Sequence, residues 1–154
     1  WVYSCGAGAN YGTALESALK MGETIHIPSC CYEIEEYIHG PNLQLTPQYN
    51  VIFFDGNDGA SRRVEQVYKA TRKVSNRAYL ISNNPQLSSD DHVLSLSDTV
   101  SSELCPLVYL PFVQLLSFIV SNDLHSIYQH PLLKEFKAIA AAKTENFVNY
   151  DGDD

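Results

Sequence analysis

Glu23 and His39, sixteen positions apart, are the side chains whose types and spacing bear most directly on chemistry. A carboxylate late on a helix and an imidazole held just before Gly40-Pro41 make a base and an acid if the fold joins them, which narrows the chemistry to proton transfer. Plainer readings stay open. Glu16, Lys20 and Glu23 fall at i, i+4 and i+7, the spacing of a solvated salt-bridge ladder contributing roughly 0.3 kcal/mol per pair. To act as a base near neutral pH, Glu23 must be partly desolvated so that its pKa rises. A lone histidine is more often structural than catalytic, but a Gly-Pro step stops a helix and favours a fixed loop at His39.

The second candidate is the turn Cys5-Gly6-Ala7-Gly8-Ala9-Asn10-Tyr11-Gly12. Glycines after a strand and before a helix let the backbone, here Gly8 and Asn10, approach a sugar or an anionic group at the helix N-terminus. The same turn also serves simply to pack a helix on a sheet, and its spacing is not the dinucleotide G-x-G-x-x-G. Asp55-Gly56-Asn57-Asp58 has the composition of a turn and helix start after a strand. The terminal Asp-Gly-Asp-Asp lacks the remaining ligands of a calcium loop. The sequence carries no P-loop, nucleophile elbow or metal-ligand cluster, so no metal site is expected.

The elements that must position these residues follow from hydrophobic periodicity. Trp1 to Cys5 predicts a buried strand, and residues 10–23 a helix with a capping box at Thr13 and Glu16 and an apolar face of Leu15, Ala18, Leu19 and Gly22. Residues 24–45 are mixed, with a brief alternation at Ile25 and Ile27 and an acidic turn over Glu33 to Glu36. Val51 to Phe54 is a second strand, Val64, Val67, Tyr68 and Thr71 mark a helix through about Val74, Ala78 to Ile81 is a third strand, and His92 to Leu96 a fourth. Leu104 to Asn122 predicts a long buried helix, residues 133–143 a further helical stretch, and residues 151–154 a loose acidic tail. Continuous apolar strands alternating with helices imply an α/β fold, a three-layer α/β/α sandwich with a parallel sheet and ligands at the carboxyl ends of its strands.

Composition bounds the rest. The chain has 154 residues, 45% hydrophobic and 18% charged, enough for one domain with a core. A net charge of −8 argues against nucleic acid, and six of the ten basic residues cluster between Arg62 and Arg77 as the wet face of a helix. The four cysteines form no C-x-x-C pair, and the adjacent Cys30 and Cys31 suit neither a disulfide nor a zinc knuckle, which points to reduced thiols in a cytoplasmic protein. The apolar run 106–120 is short and interrupted by Pro111, so no membrane span is expected. Trp1 opens directly as a strand, so further residues are expected upstream.

The run from Ala14 to Glu23, followed by His39-Gly40-Pro41, resembles the second sugar-isomerase (SIS) domain of the double-SIS phosphosugar proteins, over roughly residues 1–125. Ala14-Leu15-Glu16 through Lys20 is similar to the isomerase half of glucosamine-6-phosphate synthase. Gly8 to Gly12 and Gly56-Asn57-Asp58 are more similar to the fructosamine-6-phosphate deglycases. The resemblance implies a flavodoxin-like SIS core over residues 1–125, a tail segment over 126–154 and a first SIS domain upstream. It implies Glu23 as the base between C1 and C2 of an open-chain sugar phosphate, and His39 as an acid/base group that the synthase supplies from the neighbouring subunit. Lys20, Glu36, Gly8 and Asn10 would contact substrate. No cofactor is implied, because an amine beside a carbonyl already makes that proton labile.

The implied function is an amino-sugar-phosphate deglycase releasing a hexose 6-phosphate and an amine. The alternatives are a glucosamine-6-phosphate synthase-like isomerase/aminotransferase and a non-catalytic sugar-phosphate-binding regulatory domain. The implied partners are an amino-sugar 6-phosphate, the preceding SIS domain and further copies in a homo-oligomer. Three departures stand out. Glu35 occupies a position that is usually glycine, putting the loop shape in question. Residues 144–147 do not continue the synthase tail after Lys143, the nearest candidate for its Schiff-base lysine. The Ser-x-Ser-Gly-x-Thr phosphate cradle of the first domain is missing from this sequence, which leaves half an active site.

Overall fold

A computed structural model of the protein describes residues 1–96, 100–126 and 138–139. Five strands, β1 (Val2–Gly6), β2 (Ser29–Glu33), β3 (Asn50–Asp55), β4 (Ala78–Ser82) and β5 (Val93–Ser95), form one sheet in the order β2-β1-β3-β4-β5. Every pairing is parallel. Parallel strands need crossovers, and α1 (Asn10–Ile25), α2 (Ile34–Ile38), α3 (Ser61–Arg72) and α4 (Cys105–Asp123) cover the sheet.

Side chains alternate across each strand, so the sheet builds two cores. Tyr3, Cys5, Val51, Phe53, Ala78 and Leu80 face α2 and α3, through Ile34, Tyr37, Val64, Val67 and Tyr68. Val2, Ile52, Phe54 and Ile81 face α1 and α4, through Ala14, Met21, Ile25, Cys105, Tyr109 and Val113. Phe53 and Phe54, each fully buried on opposite faces, contribute about 2 kcal/mol apiece by leaving water.

The structure departs from the sequence pattern in four places. The fifth strand is β2, an edge strand reading Ser-Cys-Cys-Tyr-Glu with no apolar run to announce it. The acidic turn at Glu33 to Glu36 is the start of α2. Helix α1 begins at Asn10 with Ala9 as its N-cap, so Thr13 and Glu16 already lie inside the helix and form no capping box. The face of α1 that meets the sheet is made of Thr13, Ala14, Ser17, Ala18 and Met21, while Leu15 and Leu19 point outward.

Helix α4 is likewise buried on one side only. Cys105, Tyr109, Val113, Ser117 and Ser121 are buried, whereas Leu107 is 69%, Leu115 56% and Phe118 63% exposed. By length and composition alone its 19 residues are apolar enough to cross a membrane. The further helix expected at 133–143 lies outside the described residues apart from the helical Ala138 and Ile139, as do Lys143 and the acidic tail.

At the carboxyl end of the sheet the chain converges on Asp55, which is fully buried. Its Oδ1 accepts from the Asn57 amide at 3.0 Å and from Ser61 Oγ at 2.5 Å, and its Oδ2 accepts from Ser82 Oγ at 2.7 Å. Tyr109 of α4 donates to the Asp55 carbonyl at 2.7 Å. One residue thereby ties β3, β4, α3 and α4 together. Asp55→Ala strands these donors in a dry interior and is expected to destabilise the domain by about 3 kcal/mol in urea unfolding; an unchanged midpoint would contradict the role assigned to the network.

Candidate active site

The glycine turn closes for steric reasons. A Cβ on Gly6 would collide with the backbone carbonyl of Asn10, and Gly8 sits at φ +54°, where an L side chain is strained. Gly8 is exposed, 3.7 Å from Asp58 Oδ2 measured from the Cβ it lacks. Asn10, expected to touch a ligand, is instead 1% exposed and accepts a hydrogen bond from Thr13 Oγ1 at 3.2 Å, which makes it part of the turn's frame. The turn from β3 into α3 next to it carries two carboxyl groups, the buried Asp55 and the exposed Asp58. A place where doubly wound folds often receive an anion is here acidic.

Glu23 lies in the last turn of α1, beside Lys20 (Nζ–Oε2 2.6 Å), and Lys20 also reaches Glu16 at 3.5 Å. The hydrogen bond with Glu23 comes first among the causes that hold the Lys20 ammonium above its usual pKa. The Glu23 side chain is 50% exposed, so within this chain the stripe is the solvated ladder that its spacing also described.

His39 closes α2 as its C-cap residue, exposed, with its amide donating to the Glu36 carbonyl at 3.1 Å. Its Nδ1 lies 2.6 Å from the Glu35 carbonyl oxygen. Glu36 completes a capping box with Glu33, so its carboxylate is turned to its own helix, while remaining exposed.

Glu23 and His39 are not brought together by one chain. Helix α1 packs in the core on the α4 side of the sheet, and α2 in the core on the α3 side. The expected acid–base pair therefore has the sheet between its two members.

Glu35 has a partner that no local pattern announces. Arg63, in the first turn of α3, grips its carboxylate with two hydrogen bonds, Nε–Oε1 at 2.7 Å and Nη2–Oε2 at 3.0 Å. The charge that put the loop shape in question is thus absorbed, since Glu35 occupies the acidic first turn of α2, where a carboxylate is favourable. No sequence pattern links positions 35 and 63, because only the crossover through β3 brings α2 beside α3.

A cavity of about 520 Å³ opens elsewhere, between α4 and the sheet, lined by Met21, Ile52, Ile81, Phe112 and Leu116. Its wall is mostly apolar, and Asn50, Tyr79, Asp91 and His92 supply the polar part of the lining.

No family model matches the chain. Its structure superposes on an assigned phosphosugar isomerase from Clostridium difficile 630 with a TM-score of 0.75 and 22% identity, covering 92% of this chain and 40% of that one. It superposes on the C-terminal domain of glucosamine-fructose-6-phosphate aminotransferase from Francisella tularensis with a TM-score of 0.71 and 24% identity, covering 79% and 35% of the two chains. The fold is the phosphosugar-isomerase (SIS) fold. In sequence, this SIS domain is 31% identical over 122 residues to glutamine–fructose-6-phosphate aminotransferase [isomerizing] from Methanothermobacter thermautotrophicus, covering 77% of the chain. It is 28% identical over 118 residues to the enzyme of the same name from Idiomarina loihiensis, covering 75% of the chain. The chain spans about a fifth of the length of both curated relatives, 20% and 19%.

The hydrogen bond from Arg63, then its charge, hold the Glu35 carboxyl below its usual pKa. A folded-state value below the unfolded one means that this pair stabilises the domain above the ordinary glutamate value of about 4.3 and stops doing so as the pH falls through the lowered one. The gap in thermal midpoint between wild type and Arg63→Met is therefore expected at neutral pH and should close as the pH falls well below the ordinary glutamate value. A gap that persists in acid would contradict the pairing.

Proposed function

We propose that this SIS domain belongs to an amino-sugar-phosphate deglycase in which Glu23 moves a proton between C1 and C2 of the open-chain substrate. The observation that carries the proposal is the setting of Glu23. It stands outward with Lys20 on the same helix as the exposed Leu15 and Leu19, and α4 presents the exposed apolar row Leu107, Leu115 and Phe118. Exposed apolar side chains in such number mark a surface that another domain or subunit covers. Covering it would take Glu23 out of bulk water beside Lys20, the kind of enclosed setting in which a positioned carboxylate transfers protons.

In the proposed reaction Glu23 removes a proton from C1 of the ketosamine phosphate, the electron pair forms the C1–C2 double bond, and the C2 oxygen takes a proton from water to give an enol-amine. Return of the Glu23 proton to C2, with the nitrogen giving its own proton back to water, leaves an imine at C1, which water then hydrolyses to the aldehyde and the free amine. The phosphate is held outside this chain, since the turn that would cradle it carries Asp58 and Asp55. His39, across the sheet from Glu23, serves a site completed by another copy of the chain. The preceding SIS domain and a homo-oligomer are accordingly its partners.

A second reading is an isomerase/aminotransferase that forms glucosamine 6-phosphate, favoured by the names of both curated relatives. It requires a lysine late in the chain, with Lys143 as the candidate. A non-catalytic sugar-phosphate-binding module would bind ligand without exchanging the C1 proton with solvent.

Glu23→Gln in the full-length protein, assayed on fructoselysine 6-phosphate, is expected to lower turnover by about 10² to 10⁴-fold. Turnover close to wild type would overturn the assignment of the base.

A further inference from the structure

We propose that the Arg63–Glu35 ion pair is a positioning device that fixes the ring orientation and tautomer of His39. The inference rests on the reading of His39 as an acid/base group and names residues that this reading does not.

Helix α2 has only five residues, far below the length at which a helix holds its shape alone. Besides the burial of Ile34 and Tyr37 in the core and the 3.0 Å hydrogen bond between the Tyr37 hydroxyl and Thr71 Oγ1 of α3, two attachments at its first turn hold it from outside its own backbone ladder. One is the capping box at Glu33 and Glu36. The other is the fork of Arg63 on the Glu35 carboxylate, which fastens the first turn of α2 to the first turn of α3. That turn of α3 is itself anchored, because Ser61 donates to the buried Asp55. A rigid path therefore runs from the sheet through Asp55, Ser61 and Arg63 to Glu35.

The last step of the path carries the chemical consequence. His39 Nδ1 sits 2.6 Å from the main-chain carbonyl of the same Glu35. A carbonyl has no proton to give, so Nδ1 must donate. The neutral ring is then the Nδ1–H tautomer, and Nε2 keeps its lone pair for a substrate proton. This is the logic by which a third group orients a catalytic imidazole, with a backbone carbonyl in that place. Lysine at position 63 could not reproduce the planar two-point grip.

The test uses the full-length ¹⁵N-labelled protein above the titration range of histidine, with the His39 ring assigned by comparison with His39→Asn. Long-range ¹H–¹⁵N correlations should show the Nδ1–H tautomer in wild type. Arg63→Met should shift His39 toward a mixture of tautomers. It should also lower kcat on fructoselysine 6-phosphate by about 10 to 100-fold with KM little changed. Arg63→Lys should recover little of this loss. The exchanged pair Glu35→Arg with Arg63→Glu should recover more, as a two-point grip requires. Glu35→Ala gives an independent second measurement, removing the anchor while leaving the carbonyl.

An unchanged tautomer in both Arg63→Met and Glu35→Ala would overturn the proposal. A tautomer that responds to Arg63 while His39→Asn retains full turnover would leave the positioning device standing and remove the catalytic role of His39. The two failures are therefore told apart.

Discussion

A buried carboxyl group with its hydrogen bonds met is the constraint around which the carboxyl end of this domain is built. Removing Asp55 from water is costly unless its lone pairs find donors, and three arrive from the Asn57 amide, Ser61 and Ser82. Because those donors belong to the β3 turn, the start of α3 and the end of β4, satisfying one residue fixes the relative positions of three elements. Tyr109 extends the same node to α4 through the Asp55 carbonyl. The glycine turn packs against this node, with Asn10 Nδ2 only 2.9 Å from where a Cβ on Gly56 would stand. The helices on both sides of the sheet are thus set from a single point.

From that point the chain distributes its chemistry to separate surfaces. On one side α1 carries Glu23 and Lys20 beside exposed leucines, and α4 adds an apolar row. On the other, α3 carries Arg63, which fastens α2 and through it His39. The five-stranded parallel sheet lies between them. In the reaction proposed above, Glu23 and His39 serve one site across copies or domains, in the way that symmetric oligomers build sites from the surfaces of different subunits.

Much of this was legible in the sequence where burial is two-sided. Val51 to Phe54 and Ala78 to Ile81 read as strands because both their faces are covered, which forces continuous apolar runs. Edge strand β2 escaped because Ser29, Cys31, Tyr32 and Glu33 are only half buried and carry no such run. On α1, size and apolarity point Leu15 and Leu19 at the core, whereas close packing on the sheet selects Ala14 and Ser17 beside the expected Ala18. For the site, the types and spacing of Glu23 and His39 were visible, but their separation by the sheet was not. That separation depends on the crossovers that send α1 and α2 to opposite faces, a property of topology rather than of local pattern.

Complementation tests the division of the site between chains most directly. Glu23→Gln and His39→Asn subunits, each inactive alone on fructoselysine 6-phosphate, would be co-expressed and purified as mixed oligomers. If Glu23 of one copy works with His39 of another, a random mixture of dimers restores one intact site in each mixed pair, or about a quarter of wild-type activity. Mixed oligomers that form but stay inactive would contradict the account.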